Sequence, residues 1–256
     1  MNLHSFLRIF GSLIAAFIML VAGYALASVV RNNRDAVLVA NIPFIGRNDG
    51  RGTSLTIEVA PLTESTELYS IQGGYPRFPD AKELTEGLDT FIEEVQTSFI
   101  KAVEENNQAR QDTAPGGETV EPLDAYLEVT WEPSQLTREI LSFKVQIDAY
   151  EGGANASQEI RTFNYNVKEK RSIELSELFS GSDYLNRISR SGRSILRTTL
   201  ANQGSFSQEI LNLGTEPIRE NFSNFTFNET VVTFHYPKFG VAPGALGPQQ
   251  FSLPRE

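Results

Sequence analysis

The longest apolar stretch of the chain runs from Ile9 to Val30 and contains no charged residue. A helix of this length, rising about 1.5 Å per residue, spans the roughly 30 Å hydrocarbon core of a bilayer. Arg8 in front of the stretch and the small residues Ala25-Leu26-Ala27 within it also fit an export signal. The pattern therefore predicts a signal anchor or signal peptide over residues 1–34. The rest of the chain is expected outside the membrane, or secreted if cleavage follows Ala27.

The first part of the remaining chain combines strand and helix periods. Residues 35–52 are polar and Gly-rich, and we expect a linker there. Leu55, Ile57 and Val59 alternate with polar residues, which predicts a strand, and Glu67 to Phe78 predicts a second extended piece. After Asp80 a helical period places these apolar residues on one face: Leu84, Leu88, Phe91, Ile92, Val95, Phe99, Ile100 and Val103. The polar segment from Gln108 to Pro122 predicts a loop.

The second half of the chain is typical of strands with one further helix. The expected helix extends from Asp183 to about Asn202. The expected strands are Tyr126 to Trp131, Ile140 to Tyr150, Thr162 to Val167, a hairpin over Phe225 to Tyr236 and Gln249 to Leu253. The predicted fold is α+β, with antiparallel sheets and one long helix packed in each half. Residues 53–132 and 133–256 are expected to form two domains.

Charge and cysteine content narrow the classes of partner. All 32 acidic residues follow Arg34, together with 19 of the 22 basic ones, so this part carries about −13. Such a charge argues against binding to nucleic acid and permits a basic protein partner. The chain has no cysteine, which excludes disulfides and thiolate metal sites.

Candidate catalytic residues are few. His235 is the only histidine after the leader, and a structural role in its strand is favoured over general base catalysis. A glycosidase would need two converging carboxylates. The chain offers three pairs of candidates only because acidic residues are frequent: Glu93 with Glu94, Glu104 with Glu105, and Glu174 with Glu177. Their positions on solvent-exposed faces of helices or strands account for them without a catalytic role. We predict no cofactor, no metal site and no catalytic residue.

Aromatic residues in two loops are the candidate binding residues. Tyr75, Arg77 and Phe78 lie in one loop, and Tyr236 and Phe239 lie in the other. Rings in loops offer rigid contact area at low entropic cost, although packing of the loops against the sheet is the default interpretation.

An ordered set of motifs carries a family resemblance. It comprises LSFKVQIDAYEGGANAS from Leu141, TFNYNV from Thr162, RSIELSELFSGSDYLNRIS from Arg171 and FHYPKFGVAPGALGPQQFSLP from Phe234. The region resembles the extracytoplasmic domain of RsiV-like and PdaC-like proteins (domain of unknown function 3298). The part before it is similar to the PdaC-type N-terminal domain (domain of unknown function 4163). Members often carry a histidine after the GGA turn, where this chain has Asn155.

The resemblance implies a membrane-anchored binding module of the bacterial cell envelope. Its expected partner is a lysozyme-like protein or peptidoglycan glycan, with the membrane contacted through Ile9 to Val30 and no nucleic acid bound. Deacetylation in that family is assigned to a separate metal-dependent domain, so we expect no enzymatic activity here. An envelope glycan hydrolase using paired carboxylates and a structural envelope subunit remain the alternatives.

Overall fold

The computed structural model describes residues 38–39, 55–113, 121, 123–204 and 206–256. The predicted leader from Ile9 to Val30 lies outside these residues. Among the helices that are described, none combines the length and apolar character needed to cross a bilayer. The described chain forms two packed units with one hydrophobic cluster each.

The first unit is a seven-stranded sheet whose strands follow one another in chain order. Neighbouring strands are antiparallel, except that β3 and β4 are parallel because a long helix, α1, connects them. The strands are β1 (Leu38–Val39), β2 (Glu58–Ser65), β3 (Tyr69–Arg77), β4 (Ala125–Leu136), β5 (Ile140–Tyr150), β6 (Ser157–Asn166) and β7 (Arg171–Ser172). Strand β1 lies within the expected linker, where it pairs with the edge of β2.

Helix α1 (Lys82–Thr113) covers one face of this sheet. Its buried residues are Leu84, Leu88, Ile92, Phe99 and Val103, all members of the predicted apolar face. The helix continues past Gln108 into the segment expected to be a loop. Residues of good helix propensity fill this last turn, and Gln108 donates a hydrogen bond to Asp112 at 2.7 Å one turn on.

The second unit packs helices on a three-stranded antiparallel sheet of order β10–β9–β8. Its sheet strands are β8 (Phe225–Phe227), β9 (Val231–Tyr236) and β10 (Gln249–Pro254), and its helices are α2 (Tyr184–Gln203) and α3 (Gln208–Gly214). Phe234 lies between the rings of Phe222 and Phe251 at the centre of the cluster. The short helix α3, capped by Ser207, was not among the predicted elements.

A buried polar network joins the two units. Ser142 donates to Oδ1 of Asn164 at 2.7 Å, and Nδ2 of Asn164 donates to the backbone carbonyl of Phe225 at 2.7 Å. The backbone N–H of Phe227 donates in turn to Oγ of Ser142 at 2.9 Å. Strand β8 is thereby hydrogen-bonded to β9 on one side and to side chains of β5 and β6 on the other.

The predicted fold class is confirmed, since the described residues form an α+β structure with a long helix in each unit. The sheets are antiparallel apart from the β3–β4 pair. The expected domain boundary at residues 132–133 lies within β4, and the first hydrophobic cluster extends to Val167 while the second begins at Ile173. The division into two domains stays a prediction.

Candidate functional site

One face of the large sheet is polar and accessible. On β5, Phe143, Val145, Ile147 and Ala149 face α1, so the residues between them point to the opposite side. The second unit covers that side at Ser142 and Thr162, Ile160 is also buried there, and the positions beyond them are accessible. We call this open area the polar face, and its members are Ser70, Gln72, Tyr126, Glu128, Thr130, Gln146, Asp148, Tyr150 and Gln158.

Strand register arranges the polar face in rows. Ser70, Tyr126 and Tyr150 lie directly opposite one another on three neighbouring strands. The next row contains Gln72, Glu128, Asp148 and Gln158. Because each row is two residues farther along the strands, the rows are about 7 Å apart.

The first row contains an aromatic pair, the exposed Tyr126 and the partly buried Tyr150. The ring centroids of Tyr126 and Tyr150 are 6.2 Å apart, with 32° between the ring planes. Tyr126 is 36% exposed although it lies in the middle of a regular sheet. A tyrosine offers an apolar ring face and a hydroxyl that can donate or accept, which suits a ligand with both kinds of surface.

The carboxylate of Asp148 is held in place by two amides. Gln146 donates to one oxygen at 2.6 Å and Gln158 donates to the other at 2.8 Å. Within the described chain, the carboxylate of Glu128, directly opposite, has no hydrogen bond or ion pair. Charged acceptors side by side with amides form a row suited to hydroxyl and amide donors of a ligand.

A loop of the second unit borders the polar face. The backbone N–H of Lys238 donates to Oε1 of Gln158 at 3.3 Å. The next residue, Phe239, is 65% exposed and has a φ of 69°. Its ring lies over Gly244, where a Cβ would be 2.2 Å from the ring. A bulky residue with positive φ costs about 1–3 kcal/mol, and such strain concentrates at functional sites.

The predicted binding residues are divided between the two sides of the sheet. Tyr75 and Arg77 both bind Asp89 of α1, through contacts of 2.9 Å and 2.6 Å, and so lie on the helix side. Burial and the hydrogen bond to Asp89 raise the pKa of Tyr75 to about 12. Phe78 and Tyr236 are core residues, 1% and 5% exposed. Phe239 alone of the five borders the polar face, and a binding role for this set stays a prediction.

Tyr126 and Tyr150 were not among the binding residues predicted from the sequence. The sequence did contain an indication for both, because apolar and polar residues alternate in each strand and each tyrosine occupies a position on the polar side. Their pairing depends on the register between β4 and β5, which alternation alone does not give.

His235 and Glu177, two of the candidate catalytic residues, are engaged in contacts that stabilise the fold. The His235 ring is buried, and its Nε2 is 2.9 Å from Oγ1 of Thr226. Burial and the positive charge of Lys144 lower the pKa of His235 to about 4. Glu177 binds Arg171, which lowers its pKa to about 2. In the part of the chain that the structure describes, no three His, Cys, Asp or Glu residues are grouped to hold a metal ion.

A groove of about 490 Å³ lies between α1 and strands β5 and β6. Its floor is apolar and includes Phe99, Leu127 and Ile147. The guanidinium of Arg161 at its edge is already engaged, since it binds Glu159 at 3.0 Å and lies 4.5 Å from the centre of the Phe91 ring. The lining also contains the polar residues Glu94, Ser98 and Glu151.

Two family models match the chain. Residues 62–158 match the family described as "Deacetylase PdaC", and residues 176–256 match a protein family of unknown function, DUF3298. The peptidoglycan-N-acetylmuramic acid deacetylase PdaC of Bacillus subtilis (strain 168) is 24% identical over 198 residues. That alignment covers 77% of this chain and 40% of the relative, so the chain spans less than half of the relative's length.

A solved structure of a DUF3298 protein shares the fold. A member from Bacteroides fragilis NCTC 9343 has a TM-score of 0.50 at 15% identity, covering 78% of this chain and 90% of that one. A second, from Pseudomonas aeruginosa PAO1, has a TM-score of 0.48 at 11% identity, covering 79% and 91%.

These comparisons confirm the resemblance identified from the sequence, a PdaC-type region followed by a DUF3298 region. The printed name of the curated relative refers to peptidoglycan, a polymer of the bacterial cell envelope. The expectation of no enzymatic activity is wrong. It assigned deacetylation to a separate domain, whereas the model matching residues 62–158 is itself described as a deacetylase and the curated relative is named for that activity.

Proposed function

We propose that this protein binds the glycan strand of peptidoglycan on its polar face and thereby serves deacetylation of the cell wall. The observation that carries the proposal is the pair of the exposed Tyr126 and the partly buried Tyr150 beside a row of carboxylates and amides. The relative's name supplies the substrate class, peptidoglycan. In this proposal the segment from Ile9 to Val30 anchors or exports the chain, so that the polar face works outside the membrane.

The chemistry of the polar face matches that of a sugar. A pyranose ring presents C–H groups on its faces and hydroxyl and amide groups around its edge. Tyr126 and Tyr150 offer ring surface to the first kind of group, and Asp148, Glu128 and Gln72 offer hydrogen bonds to the second. A glycan lying across the strands contacts both rows, which are about 7 Å apart.

Co-sedimentation of the full chain with purified, insoluble peptidoglycan tests this proposal. We expect Tyr126→Ala and Tyr150→Ala each to weaken binding about tenfold, which corresponds to about 1.4 kcal/mol. Tyr126→Phe keeps the ring and should retain most of the affinity. Leu213→Ala, which removes a 57% exposed apolar side chain elsewhere, serves as the matched control.

Wild-type affinity in the double tyrosine variant would refute the assignment of the polar face. Soluble lysozyme is the second ligand in the same experiment. If lysozyme binds saturably while peptidoglycan does not, the partner is a lysozyme-like protein and the glycan proposal fails.

A second candidate function is favoured by the names of the matching model and relative, namely deacetylation of peptidoglycan amino sugars by this chain itself. Acetate released from peptidoglycan, with and without added divalent metal ions, measures it. Turnover that Tyr126→Ala impairs through KM would connect the activity to the polar face. No acetate release by folded, glycan-binding protein would reject this function and leave the binding proposal intact.

A further inference from the structure

A second site lies where the two units meet. A cavity of about 270 Å³ is lined by β6 and the start of α1 on one side, and by α2, β8 and the short helix Glu220–Phe222 on the other. We propose that this cavity binds a small molecule carrying a single carboxylate. The proposal goes beyond the proposed function, because it concerns a different surface and does not depend on glycan binding to the polar face.

The positive charge of Arg219 is available at this cavity. Its side chain is exposed, and within the described chain its guanidinium makes no hydrogen bond or ion pair. Two nearby arginines of the second unit are engaged, since Arg187 binds Glu256 at 2.5 Å and Arg193 binds Thr215 at 2.9 Å. A free guanidinium at a cavity is suited to a carboxylate, which it binds through two parallel hydrogen bonds.

Hydroxyl groups line the cavity beside this charge. The hydroxyls of Ser172, Ser176 and Tyr184 make no hydrogen bonds within the described residues, so they are available as donors or acceptors. A further lining residue, Glu174, is an acid. One arginine, one glutamate and several hydroxyls fit a ligand with one carboxylate and additional polar groups better than a ligand with several negative charges.

The size and floor of the cavity limit the ligand further. Leu84, Phe163 and Phe222 provide apolar surface for the carbon skeleton of the ligand. The volume of about 270 Å³ equals the share of about nine water molecules in the liquid, which suits a small molecule.

The walls of the cavity are fixed by hydrogen bonds between the units. Thr162 accepts from the backbone N–H of Phe225 at 3.1 Å, and Asn164 donates to the carbonyl of the same residue. All three residues line the cavity. Because both sides are tied together, the site is formed before a ligand arrives.

Isothermal titration calorimetry of the full chain tests the proposal with two pairs of probes. N-acetylmuramic acid is compared with N-acetylglucosamine, which lacks the lactyl carboxylate. An alanine dipeptide with a free carboxyl terminus is compared with its amide. Binding of the acid within either pair, with no binding of its neutral partner, is the expected result, and the pair that binds identifies a sugar acid or a peptide as the source of the carboxylate.

Arg219→Gln is expected to weaken binding of the acid at least about tenfold. The matched control is Arg197→Gln, since Arg197 is also exposed and without a partner in the described chain but does not line the cavity. The proposal is overturned if neither acid binds, if the neutral partners bind equally well, or if Arg197→Gln weakens binding as much as Arg219→Gln. Circular dichroism of both variants shows that they are folded.

Discussion

The buried histidine of the second unit makes its stability depend on pH. His235 is 9% exposed and contacts Thr226. Burial, aided by the positive charge of Lys144, lowers the pKa of His235 from 6.5 to about 4. Protonation of the folded protein is therefore unfavourable, whereas the unfolded chain takes up a proton near pH 6.5.

The size of the effect follows from the difference between these pKa values. Above pH 7 the imidazole is neutral in both the folded and the unfolded state, so it does not reduce the free energy of unfolding. As the pH falls from 6.5 towards 4, the unfolded chain binds a proton that the folded one does not, and the free energy of unfolding falls by about 1.4 kcal/mol per pH unit. At pH 5 the loss is about 2 kcal/mol.

Urea unfolding followed by circular dichroism at pH 7.5 and pH 5.0 measures this loss. His235→Gln retains hydrogen-bonding capacity towards Thr226 but does not titrate, so its stability should change by about 2 kcal/mol less than that of the wild type over this interval. The carboxylates change the stability of wild type and variant by the same amount between these pH values, so their contribution cancels in the comparison. An equal loss of stability in wild type and variant would show that the His235 pKa is not lowered, and would refute the reasoning.

Three further predictions concern packing and strain. Asn164→Leu removes the donor to the Phe225 carbonyl and the acceptor of the Ser142 O–H, so urea unfolding should show a loss of about 2–4 kcal/mol. Thr130→Ala on the exposed face should cost little. Gly192→Ala should destabilise the protein by about 1–3 kcal/mol in the same assay, because the new Cβ would lie 2.3 Å from the Phe251 ring; an unchanged midpoint would contradict this packing. Phe239→Gly should raise the free energy of unfolding by about 1 kcal/mol by relieving the positive φ, and a destabilised variant would show that the ring contact outweighs the strain.

Helix α1 and strand β5 were predictable because their residues have a strong period. The apolar positions of α1 that were expected to be buried include all five that are buried, and β5 has the predicted bounds, Ile140–Tyr150. Both elements are amphipathic, so local sequence is sufficient to define them.

The arrangement of the strands was less predictable. The pairing of Tyr69 with Ala125 joins residues separated by the whole of α1, and alternation does not distinguish a parallel from an antiparallel neighbour. The polar face depends on the same information. Tyr126 and Tyr150 are each visible as polar-side residues of a strand, but only the register shows that their rings meet.

The two family regions meet at the polar face, which gives a physical reason for their occurrence in one chain. The PdaC match ends at Gln158, and Gln158 accepts the hydrogen bond from Lys238 within the DUF3298 match. Gln158 also holds the carboxylate of Asp148. A change in the loop around Phe239 therefore acts on the carboxylate of Asp148 through one glutamine. Gln158→Ala should remove this connection between the loop and Asp148. In that variant, substitutions in the loop should no longer alter glycan affinity, whereas Tyr126→Ala should still reduce it.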